Sequence, residues 1–129
     1  MSGSSPLTVL VVEDYEDSRC LWRVALEERG YRVLEAADGR EAVKVALRER
    51  PEIILMDLTL PVMDGLAATR RIRQTPKTRG ALIVAVTAHH ESNYRKQALD
   101  AGCDAYVTKP IDFDWLNDLP GQLLPKDSE

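Results

Sequence analysis

The chain has 129 residues, of which 44% are hydrophobic and 29% are charged, and its formal net charge at pH 7 is −4. A chain of this length accommodates one domain that buries roughly two-thirds of the surface exposed by its unfolded form. The negative charge argues against a nucleic-acid-binding surface, because such a surface needs basic side chains to neutralise phosphates. We expect the clustered Arg70, Arg71 and Arg73 to lie on the solvated face of a helix.

The sequence predicts neither a membrane span nor a secretory signal. No segment approaches the roughly 20 apolar residues of a spanning helix, and the opening MSGSSPL lacks the basic and apolar regions of a signal peptide. We therefore expect a cytoplasmic protein. Cys20 and Cys103 lack the CxxC spacing of a metal or redox site, and reduced, partly buried thiols fit that compartment.

Strand and helix patterns alternate along the chain, which is typical of a parallel sheet with helices on both faces. The predicted strands are residues 8–12, 32–36, 53–56, 82–86 and 105–108. The predicted helices are residues 17–29, a helix from Asp38 that Pro51 closes, residues 66–74, residues 92–101 and a last helix from about Asp112. We expect one domain over residues 7–124 with tails at 1–6 and 125–129, and Trp22 and Trp115 packing at helix surfaces.

The last predicted helix is interrupted. Pro120 has no amide hydrogen, and its ring collides with the carbonyl group of Leu116, four residues earlier. Gly121 adds a further cost of about 1 kcal/mol against helix. We therefore expect this helix to end near Leu119, followed by a turn over residues 122–124. A shortened helix favours a monomer or an unusual dimer.

Acidic, hydroxyl and amine side chains follow the apolar runs where predicted strands end. They are Glu13 and Asp14 after the first strand, Asp57 after the third, Thr87 after the fourth and Lys109 after the fifth. The carboxyl ends of parallel strands open onto one crevice, where ligands bind. Crowded carboxylates need a cation, an all-oxygen set suits Mg²⁺, and a fixed lysine beside that ion suits the oxygens of a phosphoryl group. The pattern predicts a phosphoryl-transfer site with Asp57 as the acceptor.

Plainer interpretations of the acidic residues stay open. Glu13 and Asp14 could cap the first helix, although Asp17 and Ser18 are better placed to do so. Since adjacent residues of a strand point to opposite sides, we expect only one of Glu13 and Asp14 to contact an ion directly. Asp57 could also cap a helix, but the residues that follow it do not predict one.

The other site residues have plainer interpretations too. Thr87 could be an ordinary strand former, and Lys109 an ordinary surface lysine. The small Ala88 after Thr87 leaves space for a ligand, however, and Pro110 fixes the turn that aims the lysine. Tyr106, on the fifth strand, could be a partly exposed strand aromatic.

Five stretches occur in order along the chain: VLVVEDYEDSR, EAADGREAV, PEIILMDLTLPVMDG, IVAVTAH and AGCDAYVTKP. Together they resemble the receiver domain of two-component response regulators, over a length from about Leu7 to about Leu124. The resemblance implies a flavodoxin-like, doubly wound (βα)5 fold. Its five-stranded parallel sheet would have the order 2-1-3-4-5, with helices on both faces.

The resemblance also implies a chemical role for the acidic residues. Asp57 would accept a phosphoryl group from a histidine kinase or a histidine phosphotransfer protein. The chain would not be an enzyme, apart from Mg²⁺-dependent self-phosphorylation and autodephosphorylation. Glu13, Asp14, Asp57 and the backbone carbonyl of Thr59 would hold the Mg²⁺, with Asp14 as a direct ligand and Glu13 acting through water.

The remaining residues would sense the phosphoryl group. Thr87 would hydrogen-bond a phosphoryl oxygen beside Lys109, and Tyr106 would turn inward as Thr87 moves. This would change the surface made by the fourth helix, fifth strand and fifth helix, where a downstream protein would bind; no contact with nucleic acid or membrane is implied. The residues that would border the site are Ala88, His89 and Pro110.

Three other functions are compatible with parts of the pattern. A haloacid-dehalogenase-like phosphatase also uses an aspartate nucleophile with Mg²⁺, but it would want a second acid where Thr59 stands. A flavin-binding electron carrier would want a hydroxyl- and glycine-rich phosphate loop after the first strand. A receiver-like binding module that is never phosphorylated would not need the complete set of acids, threonine and lysine.

Overall fold

The computed structural model describes residues 7–58, 60, 63–88, 92–109, 111 and 114. The strands are β1 (Thr8–Val12), β2 (Arg32–Ala36), β3 (Ile53–Asp57), β4 (Leu82–Thr87) and β5 (Ala105–Thr108). The helices are α1 (Glu16–Glu28), α2 (Gly39–Glu49), α3 (Gly65–Gln74) and α4 (Ser92–Ala101). Within these ranges, no helix has the length and apolar character to cross a membrane.

The five strands form one parallel sheet in the order β2-β1-β3-β4-β5, which confirms the predicted architecture. β1, β3 and β4 are buried along their whole length, whereas the edge strands β2 and β5 are partly exposed. A strand that is covered on both faces has no solvent side. This explains why the three central strands read as continuous apolar runs rather than as alternating patterns.

Alternate residues of the central strands fill two cores, one on each face of the sheet. On one face, Leu10 and Ile54 pack in a cluster with buried residues of α2, α3 and α4. On the other face, Val11 and Leu55 pack in a cluster that includes Trp22 of α1. Trp22 is only 4% exposed, so it is a core residue rather than a residue of the helix surface.

Aspartates cap α2 and α3. A side-chain oxygen of Asp38 accepts a hydrogen bond from the backbone amide of Glu41 at 2.7 Å, which confirms the predicted start of the second helix. Asp64 accepts in the same way from the amide of Ala67 at 2.9 Å. Each bond satisfies a backbone donor that has no partner within its helix.

The start of α1 differs from the prediction. The expected caps, Asp17 and Ser18, lie inside the helix; the cap position is Tyr15, whose side chain makes no capping bond. The backbone amide of Tyr15 donates instead to Oε2 of Glu13 at 3.0 Å. Of the candidate caps, it is therefore Glu13, just after the strand, that binds a backbone amide at the start of α1.

β3 and β4 each extend one residue beyond their predicted ends. Asp57 pairs with Val86, and Thr87 pairs with Thr108. Strand pairing uses backbone groups, so it continues past the last apolar side chain. Asp57 and Thr87 are consequently part of the sheet rather than of the loops that follow it.

Arg73 does not lie on a solvated helix face, although its neighbours Arg70 and Arg71 are exposed as predicted. Its guanidinium donates to the carbonyl oxygens of Gly102 at 2.8 Å and Ala81 at 2.6 Å. It also donates to the carbonyl oxygen of Arg79 and to the carboxylate of Asp104, which lies 2.6 Å away. The prediction was wrong for Arg73 because the end of α3 lies over the turns that lead into β4 and β5, a proximity that helical periodicity does not reveal.

The two cysteines differ in environment. Cys20 is exposed on α1, whereas Cys103 is buried, so the prediction of two partly buried thiols was wrong for both. Burial raises the pKa of the Cys103 thiol above its ordinary value. Its sulfur lies 3.8 Å from Oγ1 of Thr69, within the core beneath α3.

Several predictions fall outside the described residues. They are the fifth helix from Asp112 with its break at Pro120, the packing of Trp115, and the tails at 1–6 and 125–129.

Candidate functional site

The carboxyl ends of β1, β3, β4 and β5 meet at one edge of the sheet, as the sequence predicts. Glu13 follows β1, Asp57 and Thr87 are the last residues of β3 and β4, and Lys109 follows β5. Backbone hydrogen bonds hold these ends in register. The amide of Lys109 donates to the carbonyl of Thr87 at 2.7 Å, and the amide of Leu58 donates to the carbonyl of Val86 at 3.1 Å.

Three carboxylates converge at this edge. One oxygen each of Glu13, Asp14 and Asp57 lies within 4.8 Å of the others. Glu13 and Asp57 are 1% and 3% exposed, whereas Asp14 is exposed. The strict alternation of a strand predicts that adjacent side chains diverge, but Glu13 and Asp14 follow the last residue of β1, so that alternation no longer applies. Which of the two contacts an ion directly stays a prediction.

The ammonium of Lys109 lies between two of these carboxylates. It donates to Oδ2 of Asp57 at 2.9 Å and to Oε1 of Glu13 at 3.0 Å. Burial by itself lowers the pKa of Lys109, but the hydrogen bonds to Asp57 and Glu13 outweigh it and raise the pKa above its ordinary value. The lysine is therefore a fixed cation of the site rather than an ordinary surface residue.

The convergent groups line an open cleft of about 380 Å³. Its lining residues are Glu13, Asp14, Tyr15, Ser18, Asp57, Ala88 and Lys109. The donor set is made of oxygens, two of the three carboxylates are buried, and one ammonium lies among them. Such a set fits a hard divalent cation such as Mg²⁺ together with an anionic group that the ammonium can contact.

Thr87, the last residue of β4, and Tyr106, on its predicted strand β5, are not part of the cleft lining. Thr87 is 1% exposed at the end of β4, and Ala88 after it lines the cleft. Tyr106 is half-buried on β5, where it pairs with Ala85 of β4 and packs against the core. Their roles in switching stay predictions. The predicted contributions of Thr59, His89 and Pro110 lie outside the described residues.

Sequence reasoning missed several residues of the site. Ser18 lines the cleft from the first turn of α1, the helix that follows Glu13 and Asp14. The closeness of Ser18 to the acidic pair was visible in the sequence. The contact of the Trp22 ring with the ammonium of Lys109, at 5.7 Å from the ring centroid, was not visible in the sequence, because only the packing of α1 against one face of the sheet brings the two residues together.

Gly65 allows the chain after β3 to fold back against Asp57. Its amide donates to the carbonyl of Leu58 at 3.2 Å. A Cβ atom at Gly65 would collide with the backbone carbonyl of Asp57, and one at Gly39 would collide with that of Met63. The backbone at Asp57 and at Met63 is therefore approached closely by positions where a side chain does not fit.

Comparisons with known proteins agree on one family. A sequence model of the family described as response regulator receiver domain matches residues 9–119. The polar-differentiation response regulator DivK of Brucella anthropi is 36% identical over 106 residues, which cover 82% of this chain and 86% of DivK.

Two solved structures are similar over most of their length. The first is the receiver domain of the sensor histidine kinase PA1611 from Pseudomonas aeruginosa, crystallised with a magnesium ion coordinated in its active site cleft. It has a TM-score of 0.84 and 37% identity, covering 93% of this chain and 98% of that one. The second is from the co-crystal structure of the Saccharomyces cerevisiae histidine phosphotransfer protein Ypd1 and the receiver domain of Ssk1. It has a TM-score of 0.80 and 31% identity, covering 88% of this chain and 86% of that one.

Replacing Gly65 with alanine should destabilise the protein by about 1–3 kcal/mol, because the new methyl group has no space beside Asp57. Alanine is the better helix former by about 1 kcal/mol, so a loss of stability at this helix start comes from the collision. Gly80→Ala is the matched control, since a Cβ atom there meets nothing within 4 Å. Urea unfolding measures both variants. Equal stabilities for the two would contradict the close approach.

Proposed function

The chain belongs to the response regulator receiver domain family, and from this we propose that Asp57 accepts a phosphoryl group from a phosphohistidine of a partner protein. The observation that carries the proposal is the placement of the Asp57 carboxylate. It is 3% exposed at the end of a central strand, and it lies 2.9 Å from a fixed ammonium at an open cleft.

The chemistry follows from this placement. An oxygen of the Asp57 carboxylate attacks phosphorus in line as the phosphorus–nitrogen bond to histidine breaks, and the product is an acyl phosphate. Lys109 compensates negative charge on the transferring group. Mg²⁺ held by Glu13, Asp14, Asp57 and the backbone carbonyl of Thr59 would supply further charge neutralisation. The magnesium ion in the cleft of the PA1611 receiver domain supports this assignment.

We assign no turnover of external substrates to the chain. The family is one of receiver domains rather than of conventional enzymes, so catalysis is limited to self-phosphorylation and to hydrolysis of the chain's own acyl phosphate. Because the chain belongs to the receiver domain family, we prefer this function to that of a haloacid-dehalogenase-like phosphatase. The described site residues also argue against a binding module that is never phosphorylated. Such a module would not need the acids, Thr87 and Lys109, and all of them are present.

Phosphorylation would change the surface through the end of β4. The acyl phosphate brings roughly two negative charges to the strand end. Thr87 and Lys109 would be drawn toward that charge, and Tyr106 would repack against β4, its neighbour in the sheet. The result is a shift between two packings of α4, β5 and the predicted fifth helix, where a downstream protein binds. Amide hydrogen exchange at residues 105–108, with and without the phosphoryl mimic beryllofluoride, measures this response.

The donor protein would dock on α1. Large apolar side chains are exposed there: Tyr15 at 62%, Leu21 at 64% and Val24 at 41%. Ser18, which lines the cleft, lies three residues after Tyr15 and three before Leu21, so this apolar stripe begins at the cleft. A partner that presents a phosphohistidine to Asp57 would cover the stripe. The complex of Ypd1 with the Ssk1 receiver domain supports a partner of this kind.

Asp57→Asn should abolish phosphoryl acceptance while the fold survives, because the amide keeps the shape of the side chain but is a poor nucleophile. Wild type and variant are incubated with acetyl phosphate and Mg²⁺ and then weighed by mass spectrometry. Asp100→Asn, an exposed aspartate of α4, is the matched control and should gain one phosphoryl group at the wild-type rate. An Asp57→Asn variant that gains the group equally fast would refute the proposal.

Asp14→Ala should weaken Mg²⁺ binding by roughly tenfold or more, since loss of one oxygen from the carboxylate set leaves the ion with fewer charged ligands. Isothermal titration calorimetry with MgCl₂ measures the affinity. Asp17→Ala removes the same charge from α1 outside the carboxylate set and should change the affinity little. Unchanged affinity in Asp14→Ala would remove Asp14 from the site.

Leu21→Asp should slow phosphoryl transfer from a donor protein but not from acetyl phosphate, because only the protein donor needs the α1 stripe. The donor is a phosphorylated histidine phosphotransfer protein that phosphorylates the wild-type chain. Leu47→Asp is the control, as Leu47 is 41% exposed on α2, across the sheet from α1. Equal slowing in both variants, or slowing with acetyl phosphate as well, would argue against docking on α1.

A further inference from the structure

Trp22 has a position that its role in the core does not explain. Its ring is 4% exposed within the cluster between α1 and the sheet. The ring centroid nevertheless lies 5.7 Å from Nζ of Lys109, within the distance at which an aromatic face attracts a cation. An aliphatic side chain could fill the same core space but would offer no negative face to an ammonium.

The ring differs in kind from the other contacts of Lys109. In the described part of the chain the ammonium contacts Asp57 at 2.9 Å, Glu13 at 3.0 Å and the Trp22 ring. The two carboxylates are also the groups assigned to the phosphoryl group and the cation. When these carboxylates bind the phosphoryl group or the cation, the Trp22 ring still contacts the ammonium, because the ring takes no part in phosphoryl transfer.

A lysine needs such a contact more than most residues do. Its four-carbon side chain loses up to roughly 2 kcal/mol of rotamer entropy when it is held in one geometry. The side chain of Lys109 is still 32% exposed, so solvent is open to it if its ion pairs weaken. A buried ring beneath the ammonium restricts that escape without adding charge to the cleft.

We propose that Trp22 is a positioning residue for phosphoryl transfer, whose ring holds the Lys109 ammonium at the cleft while Asp57 and Glu13 exchange partners. The kinetic consequence rests on the proposed function of Asp57. The contact between the ring and the ammonium does not depend on that function, and it makes the emission of Trp22 sensitive to the charge of Lys109.

The first experiment tests the contact by fluorescence. The chain has two tryptophans, so Trp115→Phe leaves Trp22 as the only tryptophan, whose emission is selected by exciting beyond the absorption of the tyrosines. In that background, Lys109→Met should change the intensity or the maximum of the emission, because the ammonium is removed but the aliphatic chain is kept. Lys77→Met, which removes an exposed lysine from the segment before β4, should leave the spectrum unchanged. Identical spectra with and without the Lys109 charge would overturn the proposal.

The second experiment tests positioning by rate. With saturating acetyl phosphate and Mg²⁺, Trp22→Leu should accept the phosphoryl group about 2- to 5-fold more slowly than wild type, the range that an exposed cation–π contact of roughly 0.5–1 kcal/mol provides. Trp22→Phe keeps an aromatic face and should restore most of the rate. If Leu and Phe variants that are equally folded by circular dichroism react equally fast, the ring acts only as packing and the proposal fails.

The two experiments separate the proposal from the function on which it rests. If the wild-type chain gains no phosphoryl group, the assignment of Asp57 fails, and the fluorescence experiment still decides whether the ring contacts the ammonium. If Trp22→Leu does not fold, the comparison of wild type with Trp22→Phe replaces it, and a Phe variant more than about fivefold slower would contradict the proposal.

Discussion

The geometry of the cleft depends on one charge-sharing arrangement, in which the carboxylates of Glu13 and Asp57 are buried and both contact the ammonium of Lys109. Buried charges without compensation are costly, so these strand ends are stable together but not separately. β4 lies between β3 and β5 in the sheet, and the lysine therefore reaches across the end of β4 to Asp57. A cation or an anion that enters the cleft exchanges partners with groups that are already paired. Under the proposed function, that exchange would act on the end of β4, where Thr87 lies.

Different interactions hold the carboxyl ends of the strands (the carboxyl edge of the sheet) and their amino ends (the amino edge). At the carboxyl edge, charge compensation and the close approach of Gly65 to Asp57 position the reactive groups. At the amino edge, Arg73 joins the turns before β4 and β5 through carbonyl groups and Asp104. The arginine network satisfies backbone acceptors and contains no cleft residue. The contacts at the amino ends are therefore mostly to backbone carbonyls, whereas those at the carboxyl ends are ion pairs between side chains.

The sequence predictions were correct where a feature depends on residues close together in the chain, and wrong where it depends on contacts between separate segments. Strands buried on both faces were recognised because burial requires apolar residues throughout. The start of α2 was recognised because Asp38 caps it through a contact three residues away. The cap of α1 was mispredicted as Asp17 or Ser18, because the amide of the cap residue Tyr15 bonds to Glu13 at the strand end. Arg73 was mispredicted for the same reason. Its partners lie in the turns before β4 and β5, and the spacing of residues along α3 gives no information about those turns.

The sequence by itself determined the order of strands and helices, the apolar centre of the sheet and the side chains that lie at the carboxyl ends of its strands. A polar residue that ends or follows an apolar strand has to lie at the carboxyl ends of a parallel sheet, which is why the sequence alone places Asp57, Thr87 and Lys109 together. Only the tertiary structure decided that Lys109 pairs with Asp57 and Glu13, which lie 52 and 96 residues away in the chain, and that Trp22 lies beneath the ammonium. Periodicity reports which face of an element is buried. The distance between two side chains on different elements depends on how those elements pack, and no local pattern encodes it.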